Sequence, residues 1–356
     1  MKLYLFDFQN LWKRSFYVGI NQSQDIYGTF PVYVGIKSFL SSLPQYSKGD
    51  LILYVNDLGK RRSKVLEQYK KNRKTKSGQS WYLHNLESKL RIDIGEVDLK
   101  KIYIDLQTLF KEFLSLFGIF IDFYEVEADD IIAILTEKYY DANQIYIIST
   151  DKDFLQLLYY DNVRIIRKHK NLTKIYKPSI RSSTLANIFN LPEPHSYLTP
   201  ITLPILRAFL GDPSDNIPGI KGIGPKAVLN ILNLIEKKYK LKDFEKFIFD
   251  YNSVELSNLI FDLLKEDRKF KKYYTEDNII LYSEILKQII LFPNFVKERI
   301  SITTFEAIHT KLNNLIQINK EKNIFFNLNK YRQINEVLKK LKISDPYIAK
   351  ELKKYL

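Results

Sequence analysis

Carboxylates recur in this chain just after short apolar runs. Asp7 follows Leu3-Tyr4-Leu5-Phe6, and Asp57 follows Leu51-Ile52-Leu53-Tyr54-Val55. Glu127, Asp129 and Asp130 come after the run 119–124, and Asp151 and Asp153 after 145–148. A further pair, Asp212 and Asp215, lies in the turn-rich stretch Gly211-Asp212-Pro213-Ser214-Asp215-Asn216-Ile217-Pro218-Gly219. Unit charges ~4 Å apart repel by roughly 4 kcal/mol at an effective dielectric of 20, so acids gathered in one place stay ionised only beside cations. With no cysteine and only 4 histidines, any metal would be held mainly by oxygen. Magnesium suits such a set: it is hard, prefers oxygen, keeps several waters and bridges carboxylates to phosphate.

The runs begin and end abruptly, as strands buried on both faces of a parallel sheet do. All these acids would then emerge at the carboxyl ends of the strands, where open α/β sheets hold their ligands. Helices are expected over about 10–17, 32–43, 99–117 and 127–139, with a short one opening at 150–153, and strands at 163–166 and 174–176 finish the sheet. Carboxylates at helix starts also act as caps, which alone would account for Asp129. Adjacent acids at several such starts exceed what capping requires.

The chain has 356 residues and a formal net charge of +14, so its basic surplus lies away from the acids. Such separation suits a polyanion held by basic surfaces, although a composition rich in Lys, Ile, Asn and Tyr gives the same surplus. Residues 60–76 contain one acid, Glu67, and helical spacing sets Arg62, Tyr69, Lys70 and Arg73 broadly along one side. Ser77-Gly78-Gln79-Ser80 then loosens the chain, making 60–101 a basic excursion anchored near the acidic edge, or else a solvated basic helix. Past 180 the pattern turns helical. Gly219-Ile220-Lys221-Gly222-Ile223-Gly224-Pro225-Lys226 resembles the helix-hairpin-helix motif: Gly222 and Gly224 admit a phosphate to the backbone, the helix start donates N–H groups, and Lys221 and Lys226 add charge. Helical periodicity continues at 241–251, 256–264 and 280–291, while Lys339, Lys340, Lys342 and 350–354 read as solvated faces. No apolar stretch is long enough to span a bilayer and the first residues enter a strand, so a cytoplasmic monomer with no membrane partner is expected. The expected domains are an α/β core over 1–180, a duplex-binding region over 181–240 and a helical extension over 241–356.

Asp7, Tyr69-Lys70-x-x-Arg73, Glu127-Ala128-Asp129-Asp130, Ser149-Thr150-Asp151-Lys152-Asp153 and the stretch from Gly211 to Lys226 follow one another in an order that resembles the flap endonuclease and 5′-to-3′ exonuclease family. The chain is similar to bacteriophage-type members and to the 5′-nuclease domain of bacterial DNA polymerase I, over about residues 1–235. Phe8-Gln9-Asn10 stands where Asp-Gly is common, and Ala227 where some phage relatives carry a second basic residue.

The resemblance implies a PIN-like, mostly parallel sheet flanked by helices, a helical arch at about 60–101, a helix-hairpin-helix-type region and a C-terminal helical extension. It implies a magnesium-dependent, structure-specific 5′-nuclease of replication or repair in a bacterial cell or phage-infected host. Two Mg2+ ions, with Mn2+ as substitute, would be held by Asp7, Asp57, Glu127, Asp129, Asp151 and Asp153, completed by Asp130, Asp212 and Asp215; Asp151 also counts as catalytic. Lys70 and Arg73, with Arg62, would neutralise the scissile phosphate, and Tyr69 would stack on an unpaired base. K+ is expected at the Gly222 turn. The implied partners are branched or 5′-ended DNA, an RNA-DNA hybrid and replication proteins. A PIN-like ribonuclease and a noncatalytic DNA-junction-binding protein are the alternatives; the first leaves the 219–226 turn and basic excursion unexplained, the second the full set of acids.

Overall fold

A computed structural model describes the chain except residues 24, 26–27, 45, 48, 58–98, 125, 170–171, 323–327 and 354–356. Arg62, Tyr69, Lys70, Arg73 and nearly all of the basic excursion lie outside the described residues.

Every residue of the strand Leu51–Val55 is buried, and the strand Lys2–Asp7 is buried after its first residue. Their side chains alternate between two apolar cores. Leu3, Leu5, Leu51, Leu53 and Val55 enter one, and Tyr4, Phe6, Ile52 and Tyr54 enter the other, as the period of 2 demands. A sheet covered on both faces needs apolar residues at every position, which is why these strands read as unbroken runs.

The strands are β1 (Lys2–Asp7), β2 (Leu51–Val55), β3 (Ile119–Ile121), β4 (Gln144–Ile148), β5 (Val163–His169) and β6 (Leu172–Tyr176), in the order β3-β2-β1-β4-β5-β6. All neighbours are parallel except β5 and β6, which form an antiparallel edge pair. Asp7 lies opposite Val55, and Phe6 opposite Ile148, so β1 is flanked by β2 and β4 with their carboxyl ends level.

On one face lie α1 (Phe8–Ser23), α2 (Phe30–Leu40) and α3 (Leu99–Leu114). Helix α1 buries Leu11, Trp12, Ser15, Phe16, Gly19 and Ile20, spacings of three and four that make one stripe. It runs past the expected 10–17: Gly19 and Ile20 extend the buried stripe, and the polar end Asn21-Gln22-Ser23 continues the helix without an apolar signal. On the other face lie α4 (Ala128–Tyr139), then α5 (Ser182–Ile188), α6 (Leu203–Leu210), α7 (Pro225–Lys238), α8 (Leu241–Asp250), α9 (Ser253–Glu266), α10 (Glu276–Ile289), α11 (Pro293–Arg299) and α12 (Ile302–Lys322). Residues 153–159 form a 3-10 helix between β4 and β5. Helix α9 begins before the apolar pattern does because Asn252 Oδ1 accepts from the N–H groups of Val254 and Glu255, while Glu255 accepts from the Asn252 N–H. Among the described residues no single helix is long and apolar enough to cross a membrane.

The last two helices, α13 (Leu328–Lys340) and α14 (Pro346–Lys353), return to the first face. Ile334, Val337, Leu338, Leu341, Ile348 and Leu352 join the core of α1, α2 and α3. The Thr29 hydroxyl donates to the Leu341 carbonyl at 2.8 Å, and the Tyr33 hydroxyl donates to Asp345 Oδ2. Lys339, Lys340, Lys342 and Lys350 are exposed.

Candidate active site

Three acids emerge from neighbouring strand ends: Asp7 ends β1, Asp57 lies just beyond β2, and Asp151 lies just beyond β4. Asp7 is 7% exposed. Its Oδ1 accepts from the Asn10 N–H at 3.1 Å and its Oδ2 from the Ser149 hydroxyl at 2.9 Å. Burial pushes the Asp7 carboxyl up to about 6, against the pull of these two hydrogen bonds, and the charges of Asp151 and Asp57 push in the same direction as burial. Those two contributions place Asp57 and Asp151 within electrostatic range of Asp7.

The loop after β4 is fixed to α1 and to itself. Asn10 Oδ1 accepts from the Thr150 N–H at 3.0 Å and from its hydroxyl at 2.9 Å. Ser149 Oγ accepts from the Asp151 N–H at 3.0 Å, and Asp151 Oδ1 from the Asp153 N–H at 2.9 Å. Asn10, Ser149 and Thr150 are therefore site residues that sequence reasoning passed over, although Ser149-Thr150 stood inside a quoted motif. Arg14 and Lys168 border the same cleft, the guanidinium donating to the Lys168 carbonyl; burial, then Arg14, pushes the Lys168 ammonium down to about 7.

Glu127 and Asp129 follow β3 at the start of α4. Glu127 is 3% exposed and occupies the cap position without a side-chain hydrogen bond to the helix, and Asp129 is the second helical residue. Glu127 thus does not cap its own helix through its side chain, while Asp129 stands in the first turn, where the helix dipole favours an acid. Asp130 behaves differently. It is 2% exposed at the contact between α4 and α11, where its Oδ1 accepts from Arg299 Nε at 3.1 Å and from Nη2 at 2.6 Å. Arg299 Nη1 donates to the carbonyls of Lys287 and Ile290. The expectation of Asp130 as a metal ligand thus meets a packing ion pair, because its place on α4 turns it toward α11.

Asp153 and Asp212 also meet an arginine. Arg207, 4% exposed in the last turn of α6, forms ion pairs with both. Asp212 reaches it because α6 stops at Gly211, whose φ of +72° lies in the left-handed region and whose added Cβ would stand 2.4 Å from the Gly219 nitrogen. The loop then closes on itself: the N–H groups of Asp212 and Ile217 each donate to the other's carbonyl at 2.9 Å. Asp215, in the same loop, donates its N–H to the Asp212 carbonyl.

That loop runs directly into the expected duplex-binding turn. Gly222 has a φ of +88°, and its carbonyl accepts from the Tyr273 hydroxyl at 2.9 Å. Lys221, Gly222, Gly224 and Lys226 are all exposed, and Pro225 opens α7. One loop therefore carries both Asp212 at the sheet and the glycine turn at the surface.

All donors on this edge are oxygens, the set a hard divalent ion takes. Among the described residues no three acidic or imidazole side chains form a ready-made metal cage. Asp153 and Asp212 are both engaged by Arg207.

The family described as "5'-3' exonuclease, N-terminal resolvase-like domain" matches residues 2–184. The chain belongs to this 5′-3′ exonuclease family. It is 28% identical over 288 residues to the 5′-3′ exonuclease of Mycoplasmopsis pulmonis, covering 80% of this chain and 82% of the relative. It is 29% identical over 222 residues to that of Aquifex aeolicus, covering 60% and 69%. Crystal structures of the T5 D15 protein with metal ions and of T5 5′-exonuclease with zinc share the fold, at TM-scores of 0.62 and 0.60, with 19% and 20% identity over 89% of this chain and all of theirs. The enzyme thus belongs to a nuclease family and has the mostly parallel, helix-flanked sheet that its sequence leads one to expect.

Proposed function

We propose that this nuclease is a divalent-metal-dependent, structure-specific phosphodiesterase acting at 5′ ends and flaps of branched DNA. The observation that carries the reading is Asp7, a buried carboxylate whose acidic neighbours Asp57 and Asp151 stand at the same strand-end edge. Asp7, Asp57 and Asp151 would hold a first divalent ion, Mg2+ or Mn2+ in its place, with Glu127 and Asp129 beside them, and Asp153, Asp212 and Asp215 would serve a second. Such ions would supply Lewis acidity toward the attacking water and the leaving 3′ oxygen. Lys221, Gly222, Gly224 and Lys226 grip duplex phosphates at a distance fixed by the 211–224 loop.

Lys70 and Arg73, with Arg62 and Tyr69, meet the scissile phosphate and the unpaired base. Their place in the chain supports this role, since the segment leaves at Asp57 and rejoins at α3, a crossover helix whose amino end faces the acidic edge. The deciding experiment compares labelled 5′-flap, nicked, blunt and single-stranded DNA and RNA in Mg2+ and in chelator. Cleavage concentrated at the flap and lost in chelator is the expected result. Cleavage that persists in chelator would sink the metal reading, and preferential cutting of single-stranded RNA would favour a PIN-like ribonuclease.

A further inference from the structure

Arg207 lies 4% exposed at the centre of the second half of the acidic edge. It has no place in the chemistry proposed above. It is the only charged residue in the apolar run Leu203–Leu210, and its guanidinium engages two carboxylates from different elements: Asp153, which opens the 3-10 helix after β4, and Asp212, in the loop after α6. The ring of Phe189 lies 5.8 Å from its Cζ, so the group is held on an aromatic shelf as well as by charge. A planar guanidinium matches carboxylates through a fixed fork of donors, and leaving either partner of such a buried pair uncompensated is strongly destabilising.

We propose that Arg207 is a built-in counter-cation that holds the position of the second divalent ion on Asp153 and Asp212. The inference rests on the metal reading above and adds an order of events to it. The first ion enters at Asp7, Asp57 and Asp151, which emerge from neighbouring strand ends away from the Arg207 pair. The second must displace a positive group already in place, so in the absence of substrate it binds weakly. A phosphate arriving between the two halves adds negative charge, gives the released guanidinium a new partner and makes the second ion favourable. Metal loading is then completed by substrate, and the free enzyme does not assemble the full cutting site.

The test counts Mn2+ bound to the full chain without nucleic acid, by electron paramagnetic resonance and by calorimetry. Wild type is expected to take one ion tightly and a second about tenfold or more weakly, within the range of ordinary coupling between sites. Arg207→Met should strengthen the second ion by about tenfold while leaving the first unchanged. Arg207→Lys keeps the charge but reaches one carboxylate at a time, so it should give an intermediate gain, and it serves if the Met variant does not fold. Two equally tight ions in wild type would overturn the proposal, as would a second affinity that neither substitution moves. Asp7→Asn should remove the first ion alone. If no variant, wild type included, binds Mn2+, the metal reading itself falls and this one with it; tight binding of the first ion with an unresponsive second overturns only the role of Arg207.

Discussion

The two halves of the acidic edge are solved differently. On one side Asp7 is surrounded by burial and by the charges of Asp57 and Asp151. On the other, Asp153 and Asp212 share Arg207, and Asp130 pairs with Arg299. Equal residue types at similar points in the chain thus reach opposite electrostatic states. What separates them is the arginine brought in by helices α6 and α11. Asp130 and Arg299 hold two helices together, whereas Asp153 and Asp212 hold Arg207 at the edge itself.

Removing the first half should have the largest effect. Asp151→Ala is expected to lower flap cleavage by about 10²- to 10³-fold or more, while junction binding measured in Ca2+ is retained. Loss of binding along with cleavage would instead mark Asp151 as structural. The second half predicts a folding defect: Arg299→Ala strands Asp130 in the core and should lower stability to urea by about 3–5 kcal/mol, without changing affinity for the first metal ion. A loss below ~1 kcal/mol would show that the pair does not hold α11 to α4.

A subtler contrast is in pH. Asp7 carries a folded value of about 6 against 3.8 unfolded, so the native state binds the extra proton between these limits. Metal-free stability should therefore be highest below pH ~4 on this account and fall by up to about 3 kcal/mol as pH rises through 6. Saturating Ca2+, or the Asp7→Asn substitution, should flatten that fall; an unaltered slope in both would show that Asp7 is not its source. The smallest effect belongs to the surface. Lys226→Ala should reduce the log-log salt dependence of duplex binding by about 0.9, and an unchanged slope would remove that phosphate contact.

The sheet was legible because burial on both faces leaves no polar position in Leu51–Val55, and the acids were legible because they interrupt such runs. Partner identity was not. Arg207 had a visible signal, a lone charge among Leu203–Leu210, but nothing in the sequence names the two carboxylates it meets. Arg299 had none, since Lys297-Glu298-Arg299 reads as an ordinary polar helix end. The last lysines read as solvated faces, and the buried side of α13 and α14 emerges only from their three-dimensional return to α2 and α3. Asn10 was hidden for a related reason: its role is to tie together backbone and side-chain groups 140 positions away.

The return of the last helices also constrains how the protein is made. Thr29 and Leu341 are 312 positions apart yet share a hydrogen bond, and α13 and α14 cover apolar surface on α2 and α3. At synthesis rates of about 5–20 residues per second, that surface waits roughly 15 to 60 s for its cover. Through this interval the nascent chain presents an open, sticky face to the ribosome's surroundings. A truncated message or a stalled ribosome would release a chain with that face still bare, a natural target for chaperones and proteases.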